Sequence, residues 1–578
     1  MTGPTAPKDP EKARPFFYIL KDKDIFGERQ KDGTGIQFIY ESDGRLINSA
    51  QITGNVTDKE ELRLLETVEG FGRLVHSIGV SVETDRPEET AEFVFQMYGK
   101  KDLYGGGTNL TTSLKCDGME HRIYLSDYRW TEDDHVPGQI KILFAAPERM
   151  GKVSVRLFLN DGYEAPPEEE DLVIDMHSEE YCGMISRSLL QLGNPYRIRK
   201  AIEKSKAGKE VTLAYIGGSI TQGAGAIPIH TECYAYKSFQ LFQNRFSTQN
   251  NVRFIKAGVG GTPSELGMIR FDRDVLREGE RPDIVVIEFA VNDEGDETKG
   301  VCYESLVRKV LKLPWKPAVV LLFSVFANDW NLQERLRPVG DLYDLPMVSI
   351  RDAVTQQFSL KCGEGRILSK NQFFYDIFHP NNTGHTIMAD CLQYLFERCD
   401  AAEPARVGTF VEGMTEEQIL SEKLSGPAVI GADFERIFLL DKKNRYVGAK
   451  IRAGSFTSTD IELQSVEMDG NLTQTPEFPY NWMYDGSRPQ MPGFEMEITC
   501  KSLFLIFKDS GEMDVGKANV FVNDVYCMTA DPHKNNWLHC NAVLLFWETE
   551  SRSHKVRIAV TEEDRNKKFT ILGFGYTI

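Results

Sequence analysis

The sequence predicts an α/β protein in which a central doubly wound, mainly parallel sheet is flanked by two all-β regions. Between about residues 196 and 403, apolar runs alternate with amphipathic helical stretches at the spacing of βα units. Before and after that region, short alternating runs are separated by clusters of glycine, asparagine and aspartate, the pattern of β-sandwiches. A chain of 578 residues also exceeds what one hydrophobic core serves, while 41% apolar and 26% charged residues are ordinary globular proportions. Three domains are therefore expected, over 1–195, 196–403 and 404–578.

In the first region, runs such as 92–98 and 153–159 alternate in polarity, and Gly105-Gly106-Gly107 and Asn160-Asp161-Gly162 mark turns. The acidic stretch from Pro166 to Asp171 reads as the end of this sandwich, with a connector reaching to about 195. In the central region, strands are expected at 211–216, 252–255, 284–289, 319–325 and 347–350, with helices at 235–246, 303–311 and 386–397. Ile387, Cys391 and Leu395 recur every four residues and give the last helix one apolar face. In such a sheet, ligands sit at the carboxyl ends of the strands. The final region returns to strand-like runs at 436–440, 503–507, 520–522, 555–560 and 569–572, read as a second sandwich or jelly roll.

A formal charge of -19 disfavours nucleic acid or an anionic membrane as the main partner, since either requires a basic surface. The first residues lack an apolar core behind a basic start, and no uncharged run reaches the roughly 18 residues of a membrane span, so the sequence reads as cytoplasmic. Ten cysteines without a C-x-x-C pair suit a reducing compartment. Cys527, His533, His539 and Cys540 match no standard zinc spacing, and neither a metal nor a cofactor is expected. Asn-x-Thr triplets at Asn55, Asn109, Asn381 and Asn471 matter only in a secreted eukaryotic chain.

Chemistry concentrates in four short blocks. Gly217-Gly218-Ser219-Ile220-Thr221 follows the first central strand, Gly258-Val259-Gly260-Gly261-Thr262 the second, and Asn292-Asp293 the third, while Asp376-x-x-His379 precedes the last helix. A serine hydroxyl is a poor nucleophile until a base takes its proton, and imidazole titrates near neutrality, so His379 is the candidate base for Ser219. Asp376 is close enough in sequence to fix the tautomer of that ring. Pro380 biases His379 to extended geometry, and the following asparagines and threonine suit a helix cap. Acyl transfer next needs donors for an oxyanion, and the N–H groups of Ser219 and Gly261 with the Asn292 amide form a candidate set. His230 and His385 read as hydrogen-bonded structural histidines.

In order, these blocks resemble those of the SGNH (GDSL-like) hydrolase superfamily. The resemblance covers about residues 210–395 and implies a flavodoxin-like three-layer sandwich. It also implies Ser219 as nucleophile, Asp376 and His379 as its triad partners, and Ser219, Gly261 and Asn292 as the oxyanion hole. Two positions depart from the family pattern: Gly218 replaces the aspartate of the GDS motif, and Lys256 stands where the second block often opens with asparagine. The GGSIT form is similar to that of carbohydrate-esterase-like members, which remove acetyl groups from sugars and often carry jelly-roll domains.

That branch implies an acetylated carbohydrate as substrate, with Trp330 as a sugar-stacking residue at the rim. Trp130, Tyr480 and Trp482 are further aromatic candidates in the outer regions. Fold does not fix substrate, so an acyl hydrolase of lipids or thioesters is the alternative enzyme reading. A non-catalytic glycan-binding scaffold is the alternative of another class.

Overall fold

Apolar runs too hydrophobic to face water on either side form the parallel sheet at the centre of the computed structural model. Its strands are Val211–Gly217, Val252–Gly258, Ile284–Glu288, Ala318–Phe323 and Met347–Ser349. Across the sheet, 252–258 lies beside 211–217, followed by 284–288, 318–323 and 347–349, and all these neighbours are parallel. The winding reverses between 211–217 and 284–288, which makes their carboxyl ends the switch point of the sheet. The structure describes residues 12–40, 45–101, 105–168, 170–277, 279–402, 415–467, 474–487 and 492–578. Asn471 and the boundary expected at 403/404 lie outside the described residues.

Alternation along the strands feeds two cores. Leu213 and Tyr215 pack with helices Tyr196–Lys206, Tyr234–Phe246 and Asn382–Ala401 on one face. On the other face, Ala214 and Ile216 pack with helices Ser264–Phe271, Val301–Leu311 and Gln333–Tyr343. Part of the expected connector instead builds on the first of these faces: helix Glu179–Ser186 buries Tyr181, Met184 and Ile185 in the core of Leu213 and Tyr215, and strand Leu189–Gln191 extends the sheet by pairing antiparallel with 347–349. The Ser178 hydroxyl caps that helix by accepting from Tyr181 N–H, a start signal that the acidic residues upstream obscured.

The N-terminal region has two antiparallel sheets around one core. Four strands run in the order Phe16–Phe26, Met150–Leu159, Val75–Thr84, His121–Tyr124, and the main strands facing them are Gly35–Tyr40, Asp134–Phe144, Thr90–Gly99 and Asn109–Lys115. The all-β expectation missed three short helices, Arg45–Ile52, Lys59–Leu64 and Val68–Leu74. Asp58 and Thr67 cap the latter two. Trp130 is 5% exposed within this core and so is unavailable to a glycan.

The C-terminal region is an antiparallel sheet of eight strands built on the long strands Phe494–Asp509 and His539–Val560. Trp482, also 5% exposed, belongs to its core, whereas Tyr480 is exposed. The second core of the central region does not stop at that region: Phe434, Phe504, Ile506 and Leu572 extend it, so the outer helices lie between two sheets. A buried carboxylate fastens the junction. Glu304 accepts from the N–H groups of Val429, Ile430 and Gly431 at 3.0, 2.5 and 2.9 Å, and from the Tyr343 hydroxyl at 2.6 Å. Among the described residues, no helix is long and apolar enough to cross a membrane.

Removing that carboxylate strands the buried Tyr343 hydroxyl and three half-buried N–H groups, and a fully buried unsatisfied donor costs about 1–3 kcal/mol. We expect Glu304→Ala to lower the thermal midpoint by several degrees and Glu304→Gln by less, read by scanning calorimetry. Equal midpoints for wild type and Glu304→Ala would show that the junction does not depend on it.

Candidate active site

The strand that reaches the switch point ends at Gly217-Gly218, and helix Ser219–Gln222 starts at once. A β-carbon on Gly218 would lie 2.3–2.5 Å from the side-chain amide of Asn292. A side chain there would displace the Asn292 amide, so the glycine is matched to the asparagine that faces it. It also brings Asn292, at the end of the neighbouring strand, against the residue preceding Ser219. Lys256, the second departure, is fully buried and donates at 2.9 Å to the carbonyl of Gln222, capping the carboxyl end of the serine's helix.

The loop Asp376 to His379 is ordered by one carboxylate. Asp376 Oδ1 accepts from the N–H groups of Phe378 and His379 at 2.7 and 2.8 Å, and Oδ2 lies 2.9 Å from His379 Nδ1. The opposite ring nitrogen, Nε2, lies 3.0 Å from Ser219 Oγ. The Asn381 side chain then accepts from Gly384 N–H and starts helix Asn382–Ala401, as the sequence led us to expect. The N-terminal region holds the other end of this loop: Lys23 Nζ donates to the carbonyls of Phe374 and Asn371 at 2.5 and 3.1 Å, and Tyr375 of the loop packs on the N-terminal core.

His385 is fully buried. Its Nδ1 accepts from Tyr234 N–H at 3.1 Å and its Nε2 donates to the Ala224 carbonyl at 3.1 Å, so it shapes the small-residue loop beside Ser219. Burial holds its pKa down to about 3, and that of His230 down to about 4.

Gly260 and Gly261 approach Ser219 from the second strand, since a β-carbon on Gly260 would lie 3.9 Å from the Ser219 β-carbon. Gly261 has φ +70°, and a β-carbon there would lie 2.8 Å from Trp537 and 3.1 Å from His539, both in the C-terminal region. Among the described residues, neither the N–H groups of Ser219 and Gly261 nor the Asn292 side chain donates to a protein acceptor. These three donors are thus left unengaged on the segments that meet at Ser219, as an oxyanion hole would require.

Arg270, 1% exposed, ties these strand ends together. Its guanidinium donates to the carbonyls of Gly217 and Ala257, each at 2.8 Å, and pairs with buried Asp274 at 3.0 Å. Burial opposes the charge on Asp274, but the guanidinium groups of Arg273 and Arg270 prevail and hold its carboxyl below the usual range. Arg273 pairs in turn with Glu477 of the C-terminal region at 2.7 Å.

Trp330, at the rim, is half-buried. It stacks on Phe326 with centroids 5.6 Å apart, Phe326 meets Phe378 edge-on at 5.0 Å, and Phe378 meets His379 at 6.1 Å. Among the described residues, no group of three or more His, Cys, Asp or Glu side chains is arranged to hold a metal ion. His533 Nε2 is bonded to the Val515 carbonyl, His539 Nε2 to that of Gly261, and Cys527 to that of Leu545.

Two carboxyls lie beneath the site, of which the sequence marked only Asp293, as a structural residue. Glu288 lies under the serine's helix, where the Thr221 hydroxyl donates to it at 3.1 Å and burial pushes it up to about 7. Asp293 accepts from Ser264 N–H at 2.7 Å, while burial, aided by Asp296 and Glu265, pushes it up to about 8. Both sit in apolar runs or turns whose pattern reads as structure. Asp293 thus holds a proton in the folded protein that it loses near pH 4 when unfolded. Its contribution is fully present below about pH 4 and is lost as pH rises to about 8. The fall in thermal midpoint between pH 5 and 8 should be shallower in Asp293→Asn; an unchanged slope would mean that Asp293 is ionised when folded.

Residues 215–387 match the model of the GDSL-like Lipase/Acylhydrolase family. The crystal structure of a two-domain esterase (CEX) active on acetylated mannans is similar to this chain, with a TM-score of 0.53 and 23% identity over 68% of this chain and 98% of that one. The same esterase co-crystallized with mannopentaose gives the same values. An acetylxylan esterase from Geobacillus stearothermophilus, 19% identical, covers 34% of this chain and 97% of its own length with a TM-score of 0.26. A comparison with curated proteins gives no match.

Proposed function

We propose that this chain, whose central region is a GDSL-like hydrolase, is a serine esterase that removes O-acetyl groups from carbohydrates through an acyl-enzyme. The observation that carries the reading is the unbroken line from the Asp376 carboxylate through the His379 ring to the Ser219 hydroxyl. In this mechanism Ser219 Oγ attacks the acetyl carbon while His379 Nε2 takes its proton. Asp376 keeps the ring oriented and stabilises the imidazolium. The acyl oxygen, now negative, receives the N–H groups of Ser219 and Gly261 and the Asn292 amide. His379 returns the proton to the sugar oxygen as it leaves, and a water deprotonated by the same ring then frees acetate and regenerates Ser219.

The carbohydrate part of the proposal is supported by the GGSIT form, by the fold shared with an esterase active on acetylated mannans, and by the aromatic ladder from Trp330 to His379.

Triad members act as one unit, so Ser219→Ala and His379→Ala should each reduce ester hydrolysis by about three or more orders of magnitude with unchanged thermal midpoints. Wild-type turnover in folded Ser219→Ala would end the proposal.

Acyl length separates a sugar deacetylase from a lipid or thioester hydrolase, because an apolar acyl channel favours each added methylene by about 0.8 kcal/mol. Acetyl esters are expected to exceed butyryl and longer esters in kcat/KM, and Trp330→Ala to impair acetylated oligosaccharides more than a small synthetic acetate. Efficiency climbing with chain length would favour the lipid reading, and equal losses on both substrates would mark Trp330 as structural.

A further inference from the structure

The Gly261 N–H donates to no protein acceptor among the described residues, so no bond of its own fixes its direction. A peptide unit is planar, and in the trans form its C=O and N–H point opposite ways. The N–H of Gly261 is therefore aimed by whatever holds the carbonyl of Gly260. That carbonyl accepts from Gln464 Nε2 at 2.8 Å. Gln464 is 8% exposed, and its Oε1 accepts from Cys540 N–H at 2.8 Å, so both ends of the amide are engaged and its orientation is set.

The next peptide is held in the same manner. His539 Nε2 donates to the Gly261 carbonyl at 3.1 Å, while Nδ1 lies 3.1 Å from buried Asp509 and 3.3 Å from the side-chain amide of Asn535. Both planes flanking Gly261 are thus gripped by side chains outside the hydrolase fold, one by Gln464, which Cys540 anchors, and one by the neighbouring His539. We propose that Gln464 and His539 are positioning residues that aim the Gly261 N–H at the acyl oxygen, so that the C-terminal region completes the catalytic apparatus. An oxyanion donor acts through preorganisation, and a misplacement near 1 Å costs about a hundredfold in rate.

The proposal rests on Ser219 acting as an esterase nucleophile. Its test uses the full chain, a small synthetic acetyl ester that makes no sugar contacts, and a fluorophosphonate that labels Ser219. In Gln464→Leu we expect kcat to fall at least about tenfold, KM to stay within about twofold, and the labelling rate to fall with kcat. His539→Ala should show the same split, and His539→Gln, which keeps a donor, should recover part of kcat. Should Gln464→Leu lose its fold, Gln464→Glu carries the test, because it retains the bond from Cys540 and turns an acceptor towards the Gly260 carbonyl. Wild-type kcat in a folded Gln464 variant, or a rise in KM alone, beside an active wild type, overturns this inference and leaves the esterase intact. Wild-type protein with neither turnover nor labelling overturns the esterase reading and this inference together.

Discussion

The guanidinium of Arg270 is the constraint on which the site's geometry depends. Parallel strands leave their last carbonyls unpaired at the carboxyl edge of the sheet, and the loops that begin there are free to splay. Arg270 bonds the carbonyls of Gly217 and Ala257 at the ends of the two adjacent strands that deliver Ser219 and Gly261. Its charge is balanced by Asp274, whose other guanidinium partner, Arg273, meets Glu477. Breaking such a buried pair costs about 3–5 kcal/mol. Replacing Arg270 would therefore remove one donor each from the Ala257 carbonyl, from the Gly217 carbonyl, which keeps Val259 N–H, and from Asp274, which keeps Arg273.

From that fixed edge, the two outer regions act on different parts of the site. The N-terminal region holds the loop preceding Asp376 through Lys23, whose buried ammonium ends on two backbone carbonyls. The C-terminal region holds the glycine loop and shares a continuous core with the outer helices. Both are joined to the parts of the catalytic layer that a short loop could not hold rigid unaided. A three-layer sandwich supplies the order of strands; its neighbours supply the accuracy of the loops.

Much of this was legible in the sequence because it rests on local rules. All five parallel strands fall where apolar runs predicted them, to within a few residues, since residues buried on both faces leave no other pattern. Ser219, Asp376 and His379 meet at hydrogen-bonding distance as their order suggested. What stayed hidden was non-local. Nothing near Gln464 or His539 points to a glycine more than 200 residues away, and Lys23 in an alternating strand reads as solvated while it is in fact 3% exposed. Trp130 and Trp482 were open between core and glycan contact, with core the commoner fate, and both are core: a large aromatic in a β region is buried or exposed according to which sheet covers it. Glu288 went unmarked and Asp293 read only as structural, because a protonated carboxyl behaves as a small polar core residue.

The two carbonyl grips on Gly260 and Gly261 bear on how such a chain can diversify. A module that merely gathers substrate can be exchanged by recombination at its linker, and the enzyme keeps its turnover while its preference changes. Here the residues that grip the glycine loop lie in one segment and the loop itself in another, at separations fixed by hydrogen bonds of 2.8 and 3.1 Å. A chimera that brings in a foreign C-terminal sheet therefore inherits a loop without its counterpart. Under the proposed role of these grips, the heritable unit of catalysis is the pair of regions, and shuffling is confined to surfaces that neither side chain touches.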